Sequence, residues 1–295
     1  MHLALYTTVY PAVLPFLWQW AESVVVQSCQ DFELWIGIDG IDKEVVRTAA
    51  GRRLDAHFVN VSAGATPAEV RNQALAVVLN HCDAVALVDS DDILLPTRVE
   101  GALSAAEQCD LTACAMDLVD SDGDSLGIHF DPARHGRDIV HNNVFGFSNT
   151  TWRSQVLQEC LPVPEDCVLM DWMVAVKAHL KGATTGFDTT SRMFYRQHAG
   201  SMAFILPPYS MVQVITATKL LLGHYERLIK WVLSEYPGQV SPYQQAYDQT
   251  SFFAVAILAD TATLERYVEA LNALPFRDAW WSCVAHPELE DIWKK

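Results

Sequence analysis

Apolar and polar positions follow two different periods along the first hundred residues of the chain. Four short apolar runs rich in β-branched and aromatic residues are typical of buried strands, at 2–10, 32–40, 56–62 and 84–89. Between and after them, apolar positions recur at helical spacing, at 14–28, 42–54, 66–81 and 97–108. Strands that alternate with helices predict an α/β fold, a mostly parallel twisted sheet flanked by helices.

Local signals mark one helix start and one turn. Thr66 and Glu69 have the spacing of a capping box, with Pro67 at the first helical position. The stretch 116–127 has aspartates at alternate positions, as a calcium loop would, but it lacks the glycine and the final glutamate of an EF-hand. Asp122-Gly123 instead predicts the tight turn of a hairpin.

The last third of the chain has a different pattern. Apolar positions at helical spacing predict three helices and no strand, at 209–236, 241–260 and 261–274. We therefore expect an α/β domain over residues 1–205 and a C-terminal helical region over residues 206–295. Packing against the first domain, dimerisation and acceptor binding are all open as its role, and a homo-oligomer is among the expected assemblies.

Charge and cysteine usage limit the partners and the compartment. The net charge of −16 argues against nucleic acid as a ligand, because phosphate backbones require a basic surface. The apolar segment 12–26 is interrupted by Pro15 and Glu22, so we expect no transmembrane segment and at most a peripheral membrane contact. Seven scattered cysteines without a CxxC pair indicate a reducing compartment, and we expect a cytoplasmic protein, peripheral at most at the inner face of the membrane.

The most informative stretch is AVALVDSDDILLP, residues 84–96, with three carboxylates in four positions. Alternate residues of an extended backbone point the same way, so Asp89 and Asp91 can face one ion. Hard divalent cations, Mg²⁺ or Mn²⁺, prefer such oxygen ligands together with substrate phosphates. The alternative is a loop in which Asp92 caps the following helix.

Polar residues also follow the other predicted strands. Thr8 and Tyr10 follow the first strand, and Asp39 ends the second. Ligands of open α/β sheets bind outside the carboxyl ends of the strands. We therefore expect these residues and the acidic run to meet in one crevice.

From Leu3 to about Ser201 the chain resembles the family 2 glycosyltransferases, which have the GT-A nucleotide-sugar-binding fold. Six segments carry the resemblance, in order ESVVVQSCQDFELWIGIDG (22–40), VRNQAL (70–75), VDSDDILLP (88–96), GFSNTTWRS (146–154), MDWMVAVKAHLKG (170–182) and YRQHAGSM (195–202). The resemblance implies that Thr8 and Tyr10 frame the nucleotide base and ribose, and that Asp39 accepts a hydrogen bond from the base. It places Arg71 against the nucleotide or its diphosphate, although Arg71 also suits a helix surface.

The same resemblance assigns the acidic run to the donor and a metal ion. It implies that Asp89 and Ser90 contact the donor and that Asp91 is the main metal ligand, with Mn²⁺ or Mg²⁺ as the cofactor. His198 would reach the metal or the diphosphate from the other side, and a purely structural histidine is the alternative.

Asp171 is the expected general base, and a first-turn or capping acid is its alternative role. The pair Glu165-Asp166 is a rival for the base. Segments near the acceptor side of the family place Asn149, Trp172 and Arg196 there. Two departures weaken the match: the paired acid after the second strand is Ile38-Asp39, and Pro11 stands where an asparagine is common.

The expected activity is transfer of a sugar, with inversion, from a nucleotide diphosphate sugar to a hydroxyl of a glycan or lipid-linked glycan, in bacterial surface polysaccharide synthesis. UDP is the first candidate nucleotide and dTDP the second. A metal-dependent sugar nucleotidyltransferase and a non-catalytic sugar-nucleotide-binding relative are the alternatives. The nucleotidyltransferase should have a glycine-rich basic loop after the first strand, and TTVYPAVLPF contains neither glycine nor lysine.

Overall fold

The computed structural model divides the chain into two compact units. It describes residues 1–62, 64–136, 138–202, 206–277 and 279–294. The first unit contains residues 1–137 and 144–200, and the second contains residues 138–143 and 201–295. The boundary predicted from the sequence falls after residue 205, which lies outside the described residues.

The first half of unit 1 is a regular strand–helix alternation. Its elements in chain order are β1 (Leu3–Val9), α1 (Leu17–Val25), β2 (Glu33–Ile38), α2 (Lys43–Ala49), β3 (Ala56–Asn60), α3 (Pro67–Val78) and β4 (Ala84–Leu87). All four strands are parallel, in the order β3-β2-β1-β4. All seven residues of β1 are buried, because the strand lies inside the sheet with both faces covered.

The second half of unit 1 extends the same sheet in mixed directions. Its elements are β5 (Ile93–Leu94), α4 (Arg98–Gln108), β6 (Leu111–Val119), β7 (Ser125–Phe130), β8 (Thr150–Arg153), α5 (Ser154–Cys160), α6 (Met170–Leu180) and β9 (Thr185–Arg196). Beyond β4 the order is β8-β6-β9-β5, and β7 pairs with β6. β8 is antiparallel to both β4 and β6, whereas β9 runs parallel to β6. The expected α/β fold, a twisted sheet flanked by helices, is confirmed. The sheet was expected to be mostly parallel, and among the described strands four pairings are parallel and four are antiparallel.

Local signals in the sequence are confirmed where the structure describes them. Thr66 and Glu69 form the capping box at the start of α3. The hairpin between β6 and β7 turns at Asp122-Gly123, where the Asp120 carboxylate accepts hydrogen bonds from three successive backbone amides. α2 ends earlier than the apolar period predicts, because Gly51 takes a left-handed conformation with φ of +68°.

Unit 2 is helical. Its elements are α7 (Met211–Glu235), α8 (Ser241–Ala259), α9 (Thr261–Ala273) and the short α10 (Glu290–Trp293). Residues 138–143 belong to this unit, and the Tyr225 hydroxyl donates to the Val140 carbonyl oxygen at 2.9 Å. Phe253, Tyr267 and Trp293 form its aromatic core. In the described part of the chain, no helix has the length and apolar character needed to cross a membrane.

Candidate active site

The carboxyl ends of β1, β2 and β4 meet, as the alternation of strands and helices predicts. The Asp39 amide donates to the Val9 carbonyl oxygen at 3.0 Å, and the Val88 amide donates to the Tyr6 carbonyl oxygen at 3.1 Å. The buried Ser90 hydroxyl donates to the Thr8 carbonyl oxygen at 2.8 Å. The acidic run after β4 is therefore tied directly to the end of β1. Ser90, which the sequence predicts to contact the nucleotide-sugar donor, uses its hydroxyl proton in this hydrogen bond.

A crevice of about 220 Å³, including space open to solvent, lies at this edge. Its lining residues are Tyr6, Thr7, Thr8, Arg71, Leu75, Leu87, Val88, Asp89 and Phe147. Nη2 of Arg71 lies 3.5 Å from Oδ1 of Asp89, and the guanidinium lies 5.5 Å from the centre of the Phe147 ring. Three predicted donor residues, Thr8, Arg71 and Asp89, thus share one crevice.

Burial and neighbouring charges alter the ionisation of Asp89 and Tyr10. Burial, opposed by Arg71 and reinforced by the charges of Asp91 and Asp171, raises the pKa of Asp89 to about 6. Solvent screens part of this shift, because 38% of the Asp89 side chain is exposed. Partial burial and the charges of Asp91 and Asp89 raise the pKa of Tyr10 to about 12. These residues therefore form one electrostatic group.

Asp91 and His198 pair at the rim of this group. Oδ2 of Asp91 lies 3.0 Å from Nε2 of His198, and the imidazole packs on Phe16 with ring centres 4.7 Å apart. The Gly200 amide donates to Nδ1 of His198 at 3.1 Å. A neutral imidazole that accepts at Nδ1 has its proton on Nε2, so Nε2 donates to Asp91.

The side chains that could act as metal ligands here suit a cation that is also coordinated by oxygen atoms of the substrate. Mg²⁺ and Mn²⁺ are commonly held by one or two carboxylates together with phosphate oxygens, and Asp91 provides such a carboxylate. Coordination through Nε2 of His198 would require that nitrogen to lose its proton and the Gly200 contact to be given up. Among the residues described, no three His, Cys, Asp or Glu side chains are placed to hold a metal on their own.

Asp92 and Arg196 fix the backbone of the acidic run. The buried Asp92 carboxylate accepts hydrogen bonds from the Ser148 hydroxyl and, at 2.8 Å, from the Arg196 amide. Burial and the charges of Asp91 and Asp89 raise the pKa of Asp92 well above its usual value. Asp92 does not cap a helix, because the N-cap of α4 is Thr97.

The Arg196 guanidinium is buried and fully engaged with protein acceptors. Nε donates to the Asp91 carbonyl oxygen at 2.7 Å, Nη1 to the Ser121 carbonyl oxygen at 2.8 Å and Nη2 to Oε1 of Gln19 at 2.5 Å. Burial lowers the pKa of Arg196, although nearby carboxylates oppose the shift. Arg196, predicted on the acceptor side, thus braces the acidic run.

Asp171 lies in the first turn of α6, and its charge acts on both Arg71 and Asp89. Its Oδ1 accepts from the Trp172 amide at 2.8 Å. A Cβ added to Gly146 would lie 3.8 Å from Oδ2, so a residue without a side chain faces this carboxylate.

The other two residues predicted on the acceptor side are almost fully buried, each with 1% of its surface exposed. Trp172 belongs to the core. Nδ2 of Asn149 donates to the carbonyl oxygens of Cys114 and Val144, at 3.0 and 3.2 Å. Both side chains are therefore part of the protein interior.

The rival acid pair, Glu165-Asp166, lies in an exposed turn. There the Thr66 hydroxyl donates to the Glu165 carbonyl oxygen at 2.7 Å. Next to it, the Asn72 amide group pairs with Val163, donating to its carbonyl oxygen at 2.9 Å and accepting from its amide at 3.1 Å. These bonds attach α3 to the segment before α6.

Solved structures of other proteins share this architecture. The chain aligns with TarS 1-349 of S. aureus in complex with UDP-GlcNAc, with a TM-score of 0.55, 15% identity and coverage of 92% of this chain and 88% of that one. A mannosyltransferase of Pyrobaculum calidifontis, PcManGT, in complex with GDP-Man and Mn²⁺, aligns with a TM-score of 0.54 and 14% identity, covering 99% of this chain and 87% of that one. The chain has the GT-A glycosyltransferase fold.

The GT-A fold is recognised by comparing three-dimensional structures, and overall sequence similarity does not reveal it. The chain also covers 50% of a longer TarS structure, with a TM-score of 0.59 and 15% identity. No family model matches the chain, and no curated protein matches it. At such low identity the fold carries over to this chain, and function has to be inferred from its site.

Sequence reasoning missed the residues that hold the candidate site together. Ser148, whose hydroxyl donates to Asp92 and accepts from the Asp89 amide at 3.2 Å, was not a candidate. The buried Arg98 was also missed, and it donates to the carbonyl oxygens of Leu87 and Thr150 beneath the acidic run. An arginine within an apolar helical period is the signal that could have found it.

Proposed function

We propose that this chain is an inverting glycosyltransferase that transfers a sugar from a nucleotide diphosphate sugar to a hydroxyl of a glycan or lipid-linked glycan. The convergence of Arg71, Asp89, Asp91 and Asp171 at the carboxyl edge of a GT-A sheet is the observation that carries the proposal. UDP is the first donor nucleotide to test and dTDP the second, because both bases offer the N–H that Asp39 would accept.

The donor would lie along the crevice. In this proposal Thr8, Tyr10 and Asp39 bind the base and ribose, and Arg71 balances charge on the diphosphate. Asp89 binds the ribose, and its interaction with Arg71 would keep the guanidinium in place. Ser90 acts on the donor indirectly, since its hydroxyl positions the acidic run.

A divalent cation, Mn²⁺ or Mg²⁺, would be held by Asp91 with His198 beside it, and when bound it supplies positive charge against the departing diphosphate. Support comes from the oxygen donor at Asp91 and from the Mn²⁺ in the complex of the Pyrobaculum mannosyltransferase. Arg196 and Asp92 hold the Asp91 backbone in place.

Asp171 would act as the general base. Its carboxylate takes the proton of the acceptor hydroxyl while that oxygen bonds to the anomeric carbon. The bond from this carbon to the diphosphate oxygen breaks, and the diphosphate leaves with the electron pair. A single displacement by the acceptor inverts the configuration at the anomeric carbon. Gly146, which has no side chain, lies beside Oδ2.

We further propose a cytoplasmic location, with at most peripheral contact at the inner face of the membrane, in bacterial surface polysaccharide synthesis. All seven cysteines are free thiols, which suits a reducing compartment.

Calorimetric binding of UDP, dTDP, GDP and CMP, each with and without Mn²⁺, tests the proposal. We expect one nucleoside diphosphate to bind only with Mn²⁺, and Asp91→Ala to weaken that binding by about tenfold or more. Asp117→Ala is the matched control, because it removes another aspartate–histidine pair of the same unit, at 2.8 Å from His129. Absence of any nucleotide binding, or equal binding by Asp91→Ala and wild type, would contradict the metal–diphosphate proposal. Binding without sugar transfer would favour the non-catalytic relative.

A further inference from the structure

Two buried glutamines among the described residues of unit 1 differ in whether their side-chain amides have hydrogen-bond partners. Gln27 is 5% exposed, and all of its hydrogen-bonding groups serve the backbone. Its Nε2 donates to the carbonyl oxygens of Ser23 and Leu95, both at 2.9 Å, and its Oε1 accepts from the Val99 amide at 3.0 Å. Gln27 is therefore an ordinary structural glutamine.

Gln197 is 8% exposed, and its side-chain amide is unpaired. Among the described residues, neither Nε2 nor Oε1 of Gln197 has a hydrogen-bond partner. Its backbone amide donates to the Val119 carbonyl oxygen at 2.8 Å, so the main chain is anchored while the side chain is not. Burying a whole amide without partners opposes folding, and such a group calls for an explanation.

The neighbours of Gln197 show which side of the strand it occupies. Arg196 and His198 both pack on Phe16, at 5.0 and 4.7 Å from its ring centre. Because successive residues of an extended chain point to opposite sides, Gln197 lies on the other side, which it shares with Tyr195.

Both chain neighbours of Gln197 contact the acidic run, since the Arg196 amide donates to the Asp92 carboxylate at 2.8 Å and Nε2 of His198 lies 3.0 Å from Oδ2 of Asp91. Burial raises the pKa of the Tyr195 phenol well above its usual value, and four carboxylates add to the shift, those of Asp92, Asp89, Asp91 and Asp171. Gln197 therefore lies between two residues that contact the acidic run.

We propose that the Gln197 amide binds hydroxyl groups of a sugar ring and determines which sugar the site accepts. The inference rests on the glycosyltransferase function proposed above. A carboxamide can donate through Nε2 and accept through Oε1, and neighbouring sugar hydroxyls can do the same in return. Enclosure from water strengthens these bonds and makes a sugar without a matching hydroxyl costly to bind. The sugar can belong to the donor or to the acceptor.

A stability comparison tests whether the amide is unpaired. Gln197→Met replaces it with an apolar side chain of similar length, and we expect the melting temperature to rise by about 2 °C. The matched control is Gln27→Met, which leaves two carbonyl oxygens and one amide without partners and should lower the melting temperature by about 4 °C or more. A fall for Gln197→Met similar to that for Gln27→Met would overturn the proposal, because the amide would then be a structural group.

A binding comparison identifies the ligand. The probes are UDP, UDP-GlcNAc, UDP-glucose and GDP-Man, with Mn²⁺, on wild type and Gln197→Met. If Gln197 binds the donor sugar, affinity for the preferred nucleotide sugar falls about tenfold while affinity for its free nucleoside diphosphate is unchanged. If it binds the acceptor sugar, donor binding is unchanged and the KM for a glycan acceptor rises about tenfold.

Two results would overturn the inference, and they are distinguishable. Unchanged donor affinity together with an unchanged acceptor KM would show that Gln197 contacts neither sugar, and the proposed function would stand. A wild type that binds none of the nucleotides or nucleotide sugars would overturn the proposed function itself, and the sugar ligand of Gln197 with it.

Discussion

The carboxyl edge of the sheet and the helical unit bury polar groups in two different ways. In the helical unit, Thr218 and Thr250 each donate to the carbonyl oxygen four residues earlier, so each hydroxyl serves its own helix. At the carboxyl edge, Ser90 donates to an oxygen 82 residues away, and Asp92 accepts from an amide 104 residues away. One region uses polar groups locally, and the other uses them to join distant segments.

The two regions also differ in charge. Burial and nearby carboxylates raise the pKa of Asp89 and of Asp92, so the edge holds its carboxylates at a cost in stability. In the helical unit, the buried Tyr267 hydroxyl donates to the Cys283 carbonyl oxygen at 3.1 Å and accepts from the His286 amide at 2.9 Å. Substitutions at the edge should therefore affect activity more than stability, and those in the helical unit the reverse.

The largest expected effect is that of Asp171→Asn. Loss of the general base should lower kcat by about 10²- to 10⁴-fold, measured as release of nucleoside diphosphate in the presence of an acceptor. The melting temperature should change little. Glu165→Gln, at the rival acid pair, is the control and should keep the wild-type kcat. Loss of activity in Glu165→Gln with Asp171→Asn active would reverse the assignment of the base.

An intermediate effect, on stability alone, is expected for Tyr267→Phe. The change leaves a buried carbonyl oxygen and a buried amide without their partner, which costs about 1–3 kcal/mol. Thermal unfolding should show the loss, with nucleotide affinity unchanged. Tyr247→Phe is matched to it, because that hydroxyl donates to Glu226 at an exposed position and should contribute little. Weaker nucleotide binding by Tyr267→Phe would break the contrast between the two regions.

The smallest effect is the pH dependence of Asp89→Asn. The pKa of Asp89 is about 6 in the folded chain, above the value of about 3.9 expected in an unfolded one, so the folded state binds this proton more tightly. The contribution of Asp89 to stability is therefore greatest below about pH 4 and is lost as the pH rises through about 6. As the pH rises from about 4 to about 6, we therefore expect the melting temperature of wild type to fall relative to that of Asp89→Asn. Because solvent screens this side chain, the expected change in the difference is about 1–2 °C. A difference that is constant with pH would contradict the shifted ionisation.

Local chemistry made much of the fold predictable. The capping box at Thr66 and the turn at Asp122-Gly123 depend on residues four or fewer positions apart, so the sequence displays them directly. The placement of Asp39 and Asp89 at the same edge of the sheet follows from parallel strands alone. By contrast, Ser148 pairs with Asp92 across 56 residues, and no pattern of residue types marks such a partner in advance.

The roles of several candidates depended on burial, which a single sequence reveals poorly. Arg196 was expected beside an acceptor because of its motif, and its donors instead hold carbonyl oxygens of the acidic run and the hairpin turn. Trp172 and Asn149 were expected there too, and each is 1% exposed. Packing from segments distant in sequence decides whether such side chains face a ligand or the core.

The paired hydrogen bonds between Asn72 and Val163 connect two components of the proposed reaction. Arg71 lies next to Asn72 on α3, and the segment that begins at Val163 leads to Asp171 in the first turn of α6. The Asn72 side chain forms the same pair of hydrogen bonds with the Val163 backbone that a neighbouring strand would form, and so joins a helix to a loop. Arg71, proposed to face the diphosphate, and Asp171, the proposed base, are thus positioned relative to each other through this contact. The number of residues between Val163 and Asp171 helps to set the distance between them.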